Sequence, residues 1–169
     1  LNDQLGLQVR SVPSAFNEDL DKNAYTPLEY VKETAKQKAR DVFNRAEAPF
    51  AARHGRPPSL VIGADTVVVL DGKILEKPES TEDARRMLQD LAKAGTHTVC
   101  TGVSLIYGAP RAGLLPHEDS FVEVTTVAFK DLDEREIEAY VATGEPMDKA
   151  GSYGIQGLGS TFVTGVVGD

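Results

Sequence analysis

Apolar positions recur in two periods along the chain, one helical and one strand-like. Leu28, Val31, Ala35 and Val42 fall on one helical face, with Lys38 at the position that completes the stripe. Thr26 as N-cap, Pro27 at the first helical position and Glu29 closing a capping box mark where this helix begins. It is expected to run to about Arg45. Ser80 with Asp83 marks a second helix, with Ala84, Met87, Leu88 and Leu91 as its apolar face and Gly95 as its end. Asp133 with Glu136 marks a third, stapled by Leu132 and Ile137 and stopping near Thr143, before Gly144 and Pro146. Runs rich in β-branched residues predict strands over Leu60–Leu70, His97–Tyr107, Phe121–Phe129 and Thr161–Val167, with a shorter one over Gln8–Pro13. Asp71-Gly72 is a hairpin signal leading into Lys73–Leu75. The polar stretch through Asn23, Ala48–Ser59, Gly108–Ser120 and the glycine-rich Gly151–Gly159 read as loops. Helices and strands interleave, which predicts an α/β fold with helices flanking a sheet. The hairpin predicts a mixed sheet rather than a purely parallel one.

Composition narrows the class. At 169 residues the chain suits a single domain with a sizeable core. Eighteen basic against twenty-six acidic side chains give a net charge of −8, which argues against nucleic acid as a partner. An anionic substrate would then need a metal ion or a locally positive pocket. The single Cys100 excludes an internal disulfide and lies in a strand-like run, where a buried inert thiol is expected. No apolar run approaches the ~20 residues that span a membrane, and no signal peptide is visible, so a cytoplasmic location is expected.

Some residues break the pattern. Asp65 interrupts the run Val61–Leu70, where an acid is costly without a metal, a cation or hydrogen bonds. It marks either a bulge or a tuned catalytic carboxylate. Lys38 on the inward stripe is either a snorkelling lysine or one that projects into a cleft to meet an anion. Glu18 lies beside Asp19 and Asp21, a charge run that reads on its own as a solvated face. His54 and His117 fall in loops and read as surface residues, and His97 at a strand start reads as structural. Gly151, Gly154, Gly157 and Gly159 would let the backbone approach a ligand closely. Their loop matches neither a P-loop nor a dinucleotide fingerprint. Gln156 among them is a neutral donor and acceptor, suited to reading a nucleobase edge.

Taken together, Ile62-Gly-Ala-Asp-Thr-Val-Val, Leu75-Glu-Lys-Pro, His97-Thr-Val-Cys-Thr-Gly-Val and Tyr140-Val-Ala-Thr-Gly-Glu-Pro-Met-Asp-Lys-Ala-Gly-Ser-Tyr-Gly-Ile-Gln-Gly resemble the Maf family over nearly the whole chain. Val12-Pro-Ser-Ala-Phe-Asn-Glu, Glu29-Tyr-Val-Lys-Glu-Thr-Ala-Lys-Gln-Lys-Ala and Val167-Gly-Asp extend the match. The resemblance implies the inosine-triphosphatase-like fold, a twisted mixed sheet with a cleft between two lobes. It implies a homodimer that cleaves a nucleoside triphosphate to the monophosphate and pyrophosphate, using magnesium or, in its place, manganese or cobalt. In this reading Asp65 is the general base, Glu18 and Asp65 hold the metal, and Lys38 and Lys77 contact phosphate. Thr66 and Gln156 match positions linked to base choice in the branch that prefers dTTP and UTP.

The family also carries Ser-x-Ser-Pro-Arg-Arg after a first strand, whose arginines clamp the triphosphate, and Asn-Val-Val-Gly-Leu-Pro after Gly-Asp. Neither is in this sequence, whose opening Leu1-Asn-Asp-Gln-Leu-Gly-Leu resembles the helix after the first motif; it reads as truncated at both ends. The competing expectation is a non-catalytic nucleotide-binding regulator of cell division on the same fold.

Overall fold

The computed structural model describes residue 6 and residues 9–54, 58–108 and 116–168. Three helices, α1 (Pro27–His54), α2 (Thr81–Ala94) and α3 (Glu134–Ala142), flank five strands. The strands are β1 (Leu60–Leu70), β2 (Lys73–Leu75), β3 (Thr96–Tyr107), β4 (His117–Phe129) and β5 (Val163–Val167). They form one sheet in the order β2-β1-β3-β4-β5.

Every ladder between described strands is antiparallel, so the sheet is α/β in class but not mixed in strand direction. The reason lies in the connections. The hairpin reverses the chain once, and α2 then carries it across β1 to the other side. The co-directional strands β2 and β3 are thereby separated by β1, which runs against both.

Helix α1 covers one face of the sheet. Tyr30 and Val31 pack with Val67 and Cys100, and Ala39 and Phe43 with Val61 and Ile106. Two glycines let it come close. A Cβ at Gly102 would lie 2.2 Å from the Val31 carbonyl oxygen, and one at Gly63 would lie 2.4 Å from that of Ala35. Among the described residues the opposite face is covered at one end. There Val68, Val127 and Phe129 pack with Ala84, Leu88 and Leu91 of α2 and with Ile137 and Tyr140 of α3.

The caps form largely as the sequence signals. Thr26 and Glu29 exchange hydrogen bonds, and so do Asp133 and Glu136. At α2, Ser80 caps Asp83 N–H, but the Asp83 carboxylate reaches the Glu79 N–H, one residue beyond the box. Gly95 and Gly144 take left-handed backbone at the helix ends.

Other boundaries move. Helix α1 continues past Arg45 through Pro49 to His54, so His54 ends a helix rather than lying in a loop. The alanine-rich run around Pro49 has enough helix propensity to outlast a residue that breaks most helices. Leu28 is 45% exposed, and Tyr30 is fully inside. Residues 9–13 form no strand. They lie along α1, where Arg45 donates to the Pro13 carbonyl at 2.8 Å. Gln8 and the opening residues 1–5 and 7 lie outside the described residues. Strand β4 begins at His117, inside the stretch expected to be a loop, because it pairs with β3 as far as Tyr107. Strand β5 starts at Val163, after a 3-10 turn that takes up Thr161. Among the described residues no helix is long and apolar enough to cross a membrane.

Candidate active site

Strand alternation sets the site. Odd-numbered positions of β1 face α1, which buries Val61 and Val67 and turns Asp65 toward the helix. Because Gly63 and Gly102 bring α1 close, Lys38 on its inward stripe reaches across. Its Nζ lies 2.7 Å from Asp65 Oδ1 and 2.9 Å from Glu18 Oε2. Side-chain exposure falls from 49% at Glu18 through 20% at Lys38 to 9% at Asp65. Asp65 is neither a bulge residue nor a surface acid.

The electrostatics follow from this burial. Desolvation pushes the Asp65 carboxyl above its ordinary value, against the lowering effect of Lys38, with Glu18 and Glu76 adding to the rise. For Lys38, burial works against the charge, but hydrogen bonds and attraction from Asp65 and Glu18 outweigh it and hold the ammonium above its usual value.

Glu18 is brought in by a segment tied down on both sides. Asp41 accepts from Ser14 Oγ at 3.0 Å and Ala15 N–H at 2.8 Å. Arg45 brackets Asp41, and these bonds, the Arg45 one first, hold the Asp41 carboxyl well below the carboxylate range. Further along, Lys22 pairs with Glu76, which also accepts the Tyr30 hydroxyl at 2.8 Å.

Even-numbered positions of β1 face the other way, so Thr66 stands on the opposite side of the strand from Asp65. Its hydroxyl lies 3.0 Å from that of Thr101, its register partner on β3. On its other edge β1 pairs with β2 only over Val68–Leu70. A cleft of about 850 Å³ is lined by residues from both faces of β1. All six residues expected from sequence line it: Glu18, Lys38, Asp65, Thr66, Lys77 and Gln156.

The cleft also holds Glu76, Thr101, Lys149 and Tyr153, which the sequence reading did not single out. Glu76 and Lys149 sit inside the quoted motifs beside Lys77 and Asp148, so adjacency was the available signal. Lys149 hydrogen-bonds Asp148 and, with a smaller contribution from Lys77, holds that carboxyl below its usual range. Three lysines thus line the cleft of an acidic chain. Behind Tyr153, His97 is buried, with Nε2 2.6 Å from the Tyr153 hydroxyl. Burial drops His97 to about 4, so it is neutral and structural. His117 is exposed and stacks on Tyr107. Cys100 is buried.

Metal-binding chemistry would rest on Glu18 and Asp65. They converge on one cation, the Lys38 ammonium, which engages one oxygen of each. Two hard oxygen donors suit magnesium, whose shell is otherwise filled by phosphates and water. Among the described residues no three His, Cys, Asp or Glu side chains cluster to hold a metal unaided.

Comparison with known proteins places this arrangement. Residues 1–169 match the family model described as Maf-like protein. A human protein named probable bifunctional dTTP/UTP pyrophosphatase/methyltransferase is 47% identical over 166 residues, 97% of this chain and 26% of its own length. A dTTP/UTP pyrophosphatase of Bacillus pumilus is 40% identical over 169 residues, all of this chain and 79% of that one. One from Ruminiclostridium cellulolyticum is 37% identical over 168 residues, 99% and 79% of the two chains. The chain thus spans about a quarter of the human relative and about four-fifths of the two bacterial ones. With the family model matched from end to end and the family's motif residues gathered around one cleft, the chain belongs to the Maf-like protein family.

Proposed function

We propose that this chain carries the catalytic cleft of a nucleoside triphosphate pyrophosphatase acting on dTTP and UTP, the substrates that its relatives' names give. The observation that carries this reading is the two-sided cleft around β1. Charged Asp65, Lys38 and Glu18 lie on one face of the strand, and Thr66 with the neutral Gln156 lines the same cavity from the other. Its volume of about 850 Å³ lies in the range of small-ligand sites.

In this mechanism a water attacks the α-phosphorus, the bond from that phosphorus to the oxygen bridging to the β-phosphate breaks, and pyrophosphate leaves. Asp65 accepts the water's proton, and its raised pKa makes it a stronger base than an exposed aspartate. Lys38 orients the Asp65 carboxylate. Lys77, and Lys149 beside it, offset the charge of the phosphates, which also answers the −8 of the whole chain. Magnesium, held by Glu18 and Asp65 when bound, would neutralise phosphate charge and lower the pKa of water. Gln156 and Thr66 present neutral donors and acceptors to the base. The homodimer and cytoplasmic location belong to the same proposal and are supported by family membership alone.

The test is a screen of ribo- and deoxynucleoside triphosphates for pyrophosphate release by the intact protein, with magnesium and with chelator. Release from dTTP and UTP that depends on magnesium is expected. Absence of pyrophosphate from every nucleotide would overturn the reading, and saturable nucleotide binding without product would favour the regulator instead.

A further inference from the structure

The glycine-rich stretch after α3 is wrapped around a carboxylate of its own. Glu145 Oε2 accepts the Leu158 N–H at 3.0 Å. Its Oε1 accepts the Gly159 N–H at 3.1 Å and the Tyr140 hydroxyl at 2.9 Å. The Tyr140 oxygen in turn accepts the Gly154 N–H at 3.2 Å. The turn closes on itself where Gly157 N–H donates to the Gly154 carbonyl at 3.1 Å. Both ends of the segment 154–159 are therefore tied to one acid.

The glycines answer to this anchor. A Cβ at Gly157 would lie 2.4 Å from Glu145 Oε1, and one at Gly159 would lie 2.8 Å from the Tyr140 hydroxyl. Close approach to a ligand is the expectation for these glycines; in the structure Gly157 approaches Glu145, Gly159 approaches Tyr140 and Gly151 approaches Val68. Loops rich in free N–H groups commonly cradle phosphate. Here the Leu158 and Gly159 donors are committed internally, and of the two exposed tip residues that line the cleft, Ile155 and Gln156, Gln156 carries the polar side chain. Its side-chain amide makes no hydrogen bond to another described residue. What Glu145 holds is the backbone from which Gln156 projects, and with it the point where the amide enters the cleft.

We propose that Glu145 is the positioning residue of a base-reading loop, placing Gln156 at the cleft so that it selects a thymine or uracil edge over a cytosine edge. This rests on the triphosphatase reading above. Thymine and cytosine differ where an amide would engage them, as carbonyl and N–H in one and as amine and ring lone pair in the other.

The test is a double-mutant cycle read as the ratio of kcat/KM for dTTP to that for dCTP. Glu145→Gln replaces one accepting oxygen with an NH2 that faces an N–H donor. It should lower the ratio about tenfold, through KM for dTTP with kcat changed less than about twofold. In a Gln156→Ala background the same change should move the ratio by less than about twofold. Hydrogen exchange at Leu158 and Gly159 should quicken in the Gln variant. Equal losses in both backgrounds, a loss in kcat alone, or faster exchange with an unchanged ratio would overturn the proposal. A wild-type protein that turns over neither nucleotide would overturn the function beneath it, a separate result.

Discussion

Asp65 and Glu145 are both carboxylates held by hydrogen bonds, yet a lysine ammonium in a cleft matches Asp65, and N–H groups of a neighbouring loop match Glu145. Burial pushes the first above its ordinary value, while the Leu158 and Gly159 N–H groups pull the second below it. The difference separates two uses of an acid. A carboxylate balanced by one movable cation keeps a lone pair and a raised basicity for chemistry. One saturated by backbone donors has no such reserve, and it organises the chain around it. Substitutions on either side should therefore fail in different ways.

The largest effect belongs to Asp65. Asp65→Asn keeps the shape and removes the base, so pyrophosphate release should fall by about 10²–10⁴-fold while the thermal midpoint holds or rises. Unchanged turnover would remove Asp65 from the mechanism. Next is Lys38→Met, with a loss of roughly 10²-fold. Lys38 is the partner that lowers Asp65, so without it desolvation and Glu18 act unopposed and Asp65 rises further. Activity requires the ionised form, so the acid limb of the kcat/KM profile should move to higher pH, and an unmoved limb would break the coupling.

On the loop side, His97 gives a stability prediction. Its folded value, near 4, lies below the ordinary 6.5, so the unfolded chain binds its proton first as pH falls. The stability that His97 contributes is complete above about 6.5 and is lost as pH drops toward 4, amounting to roughly 3 kcal/mol. Urea midpoints at neutral and acid pH, for the protein and for His97→Phe, should show this loss shrink in the variant. The smallest effect is at Gly157. Its backbone φ of −116° suits any residue, so Gly157→Ala acts only by pressing a methyl on Glu145. It should cost about 1–3 kcal/mol in denaturant unfolding.

Much of this was legible in the sequence, and for local reasons. Capping boxes at Thr26 and Asp133 and the Asp71-Gly72 turn are short-range chemistry and form as written. Asp65 stood out because a lone acid in a β-branched run has to be compensated, and Lys38 because it completed an apolar stripe. That the two meet depends on Gly63 and Gly102 admitting α1 to the sheet, a contact between distant segments that no periodicity records. Glu145 carries no local signal for the same reason. It lies in a stretch that reads as a turn, and its partners are backbone groups 13 and 14 residues on. The antiparallel ladders were hidden because the direction of each pairing depends on which side of β1 the crossover lands. The extension of α1 past Pro49 shows propensity overriding a usual stop signal.

The opposed behaviour of the two acids is open to direct observation by NMR titration of their side-chain carboxyl carbons in the intact protein. The expected result is that Asp65 titrates above an ordinary aspartate, that Glu145 titrates below an ordinary glutamate, and that Lys38→Met raises only the first. An Asp65 that titrates at or below its ordinary value, or a Glu145 that titrates above its own, would contradict the division between a carboxylate kept for chemistry and one committed to structure.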